Sequence, residues 1–136
     1  MITLFVDSDI LLDIILLRQP FFGASAEILE LPNNNIFKCI ASVHSILNVH
    51  YSAKKMHGEQ TTRLALKTLM EKLSVVAEND TLIHEALDSV FTDFEDAVQY
   101  YAAVSAEADY IITRNTKDYK HSTIPVLTAE QFLQTL

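Results

Sequence analysis

Apolar positions along this chain fall into two alternating patterns. One is a short continuous run, rich in β-branched side chains and bounded by polar residues. "ITLFVD" (2–7) is the first such run and reads as a buried strand. "IFKCIA" (36–41), "SVVAE" (74–78), "DYIIT" (109–113) and "IPVL" (124–127) repeat the pattern. The intervening segments carry apolar residues at helical spacing. They predict helices over 9–17 with Asp9 as N-cap, 21–31 up to Pro32, and 43–56 capped by Ser42. Further helices follow over 59–73, with Leu64, Leu66, Leu69 and Leu73 on its apolar side, then 80–90, 93–108 and 128–136. Thr128 and Gln131 have the spacing of a capping box for the last of these.

Strands alternating with helices, each strand apolar on both faces, predict an α/β fold. It is a three-layer α/β/α sandwich around a central, mostly parallel five-stranded sheet, formed as one domain over residues 1–136. No repeat, linker or low-complexity segment interrupts it. In such folds sites lie beyond the carboxyl ends of the strands. That rule selects Asp7 and Ser8 after the first strand, Ser42 after the second, and Thr113, Arg114 and Asn115 after the fourth.

Chemistry concentrates at those positions. An acid closing an apolar strand is costly to bury unpaired, and with Asp9 available as the cap, Asp7 reads as a site residue. Asp9 and Asp13 read as a cap and a solvated helix face. In "FTDFEDAV" (91–98), Thr92 and Glu95 fit a capping box, which leaves Asp93 and Asp96 about 60° apart on one side of the helix. The helix beyond them is apolar nearly all round, so two extra acids in its first turn point to something positive at its start. In "IITRNTKDY" (111–119), Asn115 and Asp118 could serve a turn alone. Arg114, Lys117 and Lys120 form the one dense basic cluster and are candidate phosphate contacts. Carboxylates converging at one sheet edge, without paired His or Cys, suit Mg²⁺ or Mn²⁺ better than zinc. The five histidines show no zinc spacing and read as structural or surface residues. No Gly-rich phosphate loop is present.

Composition narrows the class. The chain has 136 residues, 49% hydrophobic, with 2 Gly and 3 Pro, which gives a sizeable core and short loops. A net charge of −8 argues against a protein that coats nucleic acid, but not against an enzyme that meets phosphate through a bound cation. No apolar run is long enough to span a membrane, and the first residues read as a strand rather than a signal peptide. The lone Cys39 excludes an internal disulfide and suits a cytoplasmic protein.

Taken together, "FVDSDILLDI", "DFEDAVQYYAA" and "DYIITRNTKDY" resemble the PIN domain family, metal-dependent ribonucleases that include VapC-type toxins encoded beside an antitoxin. The resemblance runs through "IPVLTAEQFL" and covers essentially the whole chain. It implies catalytic roles for Asp7, Asp96 and Asp118, with Asp93, Asn115 and Asn48 as further metal positions. Ser8, Thr113 and Arg114 would steady the site or touch phosphate. Three positions depart from the family pattern. Asp9 stands where the family carries Asn, a mild change. Asn48 stands where the family usually carries Glu; it can coordinate through its amide oxygen but adds no charge. Asn115 stands where many members carry Asp. The resemblance also implies an RNA substrate, an antitoxin protein as partner and a homodimer. An alternative from the same residues is an inactive PIN-like module that binds RNA or an antitoxin without cutting. A haloacid-dehalogenase-type phosphatase is a lesser alternative. It shares the D-x-D of "FVDSDILL", but Leu11 stands where Thr or Val is wanted and the late Gly-Asp loop is missing.

Overall fold

The computed structural model describes residues 1–136. Five strands, β1 (Ile2–Val6), β2 (Phe37–Ser42), β3 (Ser74–Val76), β4 (Tyr110–Ile112) and β5 (Val126–Leu127), form one sheet in the order β3-β2-β1-β4-β5. Every neighbouring pair is parallel, with Leu4 opposite both Cys39 and Tyr110 across the centre. The strands carry apolar side chains on both faces because successive residues point to opposite sides. Leu4 and Val6 enter one core with Cys39, Ala41 and Ile112. Phe5, Ile40 and Ile111 enter the other.

Seven helices cover these faces: α1 (Ser8–Ile15), α2 (Phe22–Glu30), α3 (Val43–His57), α4 (Glu59–Met70), α5 (Asp80–Leu87), α6 (Phe94–Ser105) and α7 (Ala129–Leu133). The first core packs α1 through Ile10 and Leu11, α2 through Ile28, α3 through Val49, α4 through Leu69 and α7 through Phe132. The second packs α5 through Leu82 and α6 through Ala97, Val98 and Ala102. The three-layer α/β/α architecture is therefore as the alternating pattern predicts. Gly58, at φ 78°, occupies the left-handed region between α3 and α4, where a side chain would be strained. No helix is long and apolar enough to cross a membrane.

Local expectations need correction. Asp7, not Asp9, is the N-cap of α1: its side chain accepts the Ser8 N–H. Asp93, not Thr92, caps α6 by accepting the Asp96 N–H, so the Thr92–Glu95 capping box does not form. Asp13 does not face solvent; it is fully buried. Leu64 is 64% exposed and Leu69 carries the apolar side of α4 inward. Pro32 lies inside a 3₁₀ turn (Leu31–Asn33), which extends α2 by tighter winding. The Thr128–Gln131 capping box is present, with bonds of 3.1 and 2.9 Å. Cys39 is buried, and burial pushes its thiol up to about 12, the condition of an inert core cysteine.

Phe5 is fully buried on the central strand, so Phe5→Ala leaves a cavity beneath α6. Urea unfolding should show a loss of about 3–5 kcal/mol; a loss below about 1 kcal/mol would contradict the placement of this core.

Candidate metal centre

The carboxyl ends of β1, β2 and β4 meet over the amino end of α6, and the polar side chains there form one connected network. Asp7 is its hub. Asp7 Oδ1 accepts from Ser8 N at 2.7 Å and Gln99 Nε2 at 3.1 Å. Its Oδ2 accepts from the hydroxyls of Thr113 and Tyr119, each at 3.0 Å. Gln99 is buried and reaches further. Its Nε2 donates to Ser45 Oγ at 2.6 Å, and its Oε1 accepts from Ser42 Oγ. Burial pushes the Tyr119 phenol up, and the Asp7 charge adds to it, so this hydroxyl stays a donor.

Asp9 sits beside Asp7. Its Oδ2 takes donors from Arg114 N at 3.0 Å, Thr113 Oγ1 at 3.2 Å and Asn115 Nδ2 at 3.2 Å. Its Oδ1 is buried and has no partner. Burial first, and then the Asp7 charge, push this carboxyl up to about 6. Asp96 is likewise pushed up to about 6, by burial and then by the charges of Asp118, Asp93, Asp7 and Glu95. Asp7, Ser8, Asp9, His44, Asn48, Glu95, Asp96, Gln99, Asn115 and Asp118 line one wholly polar pocket of about 130 Å³. A wider cleft of about 560 Å³ adjoins it. The two share Glu95, Asp96 and Asp118, and Lys117, Lys120 and His121 line the cleft alone.

The sequence model of the PIN domain family matches residues 3–117. The chain belongs to the PIN domain family. Among its relatives, Ribonuclease VapC1 of Aquifex aeolicus (strain VF5) is 26% identical over 135 residues, covering 96% of this chain and 92% of the relative. A toxin–antitoxin complex from Klebsiella pneumoniae matches at 27% identity and TM-score 0.68, over 92% of this chain and 96% of its counterpart. VapBC-1 from nontypeable Haemophilus influenzae matches at TM-score 0.70 over 95% of this chain and 99% of its own. At 16% identity it speaks for the fold alone.

Within this PIN domain, Asp7, Ser8, Asp96, Asp118, Asn115 and Asn48 all line the polar pocket. Asp93 does not. As the cap of α6 it has an extended backbone, so the helical spacing that paired it with Asp96 does not apply, and it lines the adjoining cleft. Thr113 lies buried under the pocket and supports Asp7 and Asp9. Arg114 points elsewhere. Its guanidinium makes two bonds to the buried Asp13, at 3.0 and 2.9 Å, and lies 4.2 Å from the Phe21 ring centroid. The guanidinium clamps α1 to the end of β4, and the Arg114 backbone N–H steadies the site by donating to Asp9.

Sequence reasoning missed four residues. Gln99 had a visible signal: one polar side chain inside an otherwise apolar helix, three positions after Asp96. The sequence presents Asp9 as a cap, Glu95 as half of a capping box and His44 as structural or surface, yet all three line the pocket.

A divalent cation fits the chemistry of this donor set. The pocket offers hard oxygen donors and no apolar lining. Two of its carboxyls are held up by burial and crowding, and a buried carboxylate oxygen lacks a partner. No three carboxylate, imidazole or thiol groups converge here tightly enough to hold an ion at once. Mutual repulsion keeps such acids apart until a positive charge offsets it.

The Arg114–Asp13 pair yields a direct expectation. Arg114→Leu leaves the buried Asp13 without an ionic partner, held only by the Ser25 hydroxyl at 3.3 Å, and should cost about 3–5 kcal/mol in urea unfolding. Asp13→Leu combined with Arg114→Leu should cost less than Arg114→Leu alone. The opposite order would contradict the clamp.

Proposed function

We propose that this chain is a metal-dependent endoribonuclease that hydrolyses RNA phosphodiester bonds and serves as the toxin of a toxin–antitoxin pair. One observation carries the reading. A pocket of convergent acids at the carboxyl edge of a parallel sheet adjoins a cleft where Lys117, Lys120 and His121 stand beside Asp93, Glu95, Asp96 and Asp118. Acids alone would repel a phosphodiester; acids that hold a cation, beside basic side chains, would bind one. The similarity to Ribonuclease VapC1 points the same way.

Asp7, Asp96 and Asp118 are the charged residues that would hold Mg²⁺ or Mn²⁺, with the oxygens of Asn48 and Asn115 beside them. Asp93 would act from the cleft. The bound cation supplies an acidified water and offsets charge building on the phosphate. The roles of the two central acids then divide by their partners. Asp7 is held by Ser8, Gln99 and Tyr119, and the one Thr113 hydroxyl proton is shared between it and Asp9, which fixes its orientation and leaves a lone pair for a cation. Asp96 accepts no such bonds, so its carboxylate would be free to hold the cation and orient the attacking water. Ser8 and Thr113 steady the site. Lys117 and Lys120, exposed beside Asp118, would meet RNA phosphates.

A protein partner has a surface available to it. Val43, Leu47 and Tyr51 lie four apart along α3 and are 40%, 62% and 57% exposed, an apolar line on one helix face. An antitoxin protein or a second copy of this chain in a homodimer would cover it, and a cytoplasmic setting accords with the reduced, buried Cys39. Asn48, which adds no charge to the pocket, favours the second reading of a module that binds RNA or an antitoxin without cutting.

Cleavage of a structured RNA, followed while Mn²⁺ is titrated into metal-free protein, separates these. The wild type should cut only with the cation, chelation should stop it, and Asp96→Asn should be slower by about 100-fold or more. Metal-independent cutting, or equal cutting by both proteins, would defeat the nuclease reading. RNA binding without cutting would point to the module.

A further inference from the structure

The acid pocket is unevenly charged. Asp7 and Asp9 enter it from the end of β1, Asp118 from the 3₁₀ turn Thr116–Tyr119, and Asp96 from α6. The α3 side contributes His44 and Asn48 and no acid. A cation seated among these groups would find little negative charge on that side. Among the carboxylates that line the pocket, Glu95 is the one paired with a residue of α3. Glu95 lines the same pocket, and its Oε2 lies 3.5 Å from His44 Nε2, the atom that also sits 3.2 Å from Asn48 Nδ2. His44 therefore links Glu95 to Asn48 across the gap between α6 and α3.

Glu95 is also uncommitted. The cap of α6 uses Asp93, so the Glu95 carboxylate is not bound to the helix terminus. Its only ionic partner is His44, and its side chain is 69% exposed, free to change rotamer at little cost. Glu95 and Asp96 are adjacent in α6 and line the same pocket.

We propose that Glu95 supplies the carboxylate that the α3 side of the pocket lacks, turning from His44 to join Asp7, Asp96 and Asp118 when a divalent cation binds, with Asn48 adding its neutral amide oxygen. This rests on the metal-dependent reading above and adds a ligand to it. Position 48 and position 95 face the same gap from opposite helices, so a carboxylate at either one fills the same role.

Calorimetric titration of MnCl₂ into the metal-free protein tests this without any activity measurement, with thermal unfolding as the check that each variant is folded. Glu95→Gln should weaken Mn²⁺ binding about 10-fold or more. Adding Asn48→Glu to Glu95→Gln should restore the affinity to within about twofold of wild type. Two results would overturn the proposal while leaving the metal-dependent reading intact. One is wild-type affinity in Glu95→Gln alongside lost affinity in Asp96→Asn. The other is an equal loss from Glu95→Gln with and without Asn48→Glu, which is the mark of a general charge effect. Absence of Mn²⁺ binding by the wild type would overturn both.

Discussion

The carboxylate of Asp7 is where the layers of this protein are tied together. Its four hydrogen-bond donors come from the start of α1, the middle of α6, the exit of β4 and the 3₁₀ turn beyond it. No one of those elements could shift without leaving a polar group unpaired in a poorly solvated place. The parallel sheet requires this arrangement. Its strands all end at one edge, and each following segment must turn there with its backbone and side-chain polar groups satisfied. Gln99 extends the tie to Ser42 and Ser45, and so to β2 and α3. The same geometry that satisfies the edge also gathers acids over it.

That gathering has an electrostatic cost, which the fold sustains through its cores and the Arg114–Asp13 clamp. Asp9 and Asp96 are both held well above the ordinary carboxylate range, and burial is the first cause for each. For such groups the folded state binds protons more tightly than the unfolded chain does. The stability they contribute is present at pH below about 4 and is lost as pH rises through about 6. At neutral pH the metal-free pocket is therefore a strained assembly of like charges. A divalent cation would replace the lost protons as the source of positive charge.

Much of this was legible in the sequence because it depends on periodicity. The alternation of short apolar runs and amphipathic segments specifies the layers, and the rule about strand ends selects Asp7, Ser8, Thr113 and Asn115. Asp96 and Asp118 follow from acids placed where an apolar helix begins and a strand exit turns. What the sequence concealed depends on which of several adjacent polar groups takes which partner. "VDSD" offers two possible caps for α1; burial at the strand end decides for Asp7, and Asp9 is then released into the pocket. "FTDFED" offers Thr92 and Asp93, and the backbone turns extended at Asp93. Nothing near Arg114 in the chain announces that its guanidinium pairs with the buried Asp13, a hundred residues away. Pairings of that kind are tertiary, and no local pattern encodes them.

The fold holds ionisable acids together at a strained edge, whose charge a cation would relieve. The carboxyl carbon of Asp96, followed by NMR through a pH titration with and without saturating Mg²⁺, tests it most directly. Without the ion the midpoint should lie near 6, and with it the midpoint should move down toward the ordinary carboxylate range. A midpoint already near 4 in the metal-free protein, or one that Mg²⁺ leaves unmoved, would contradict the account.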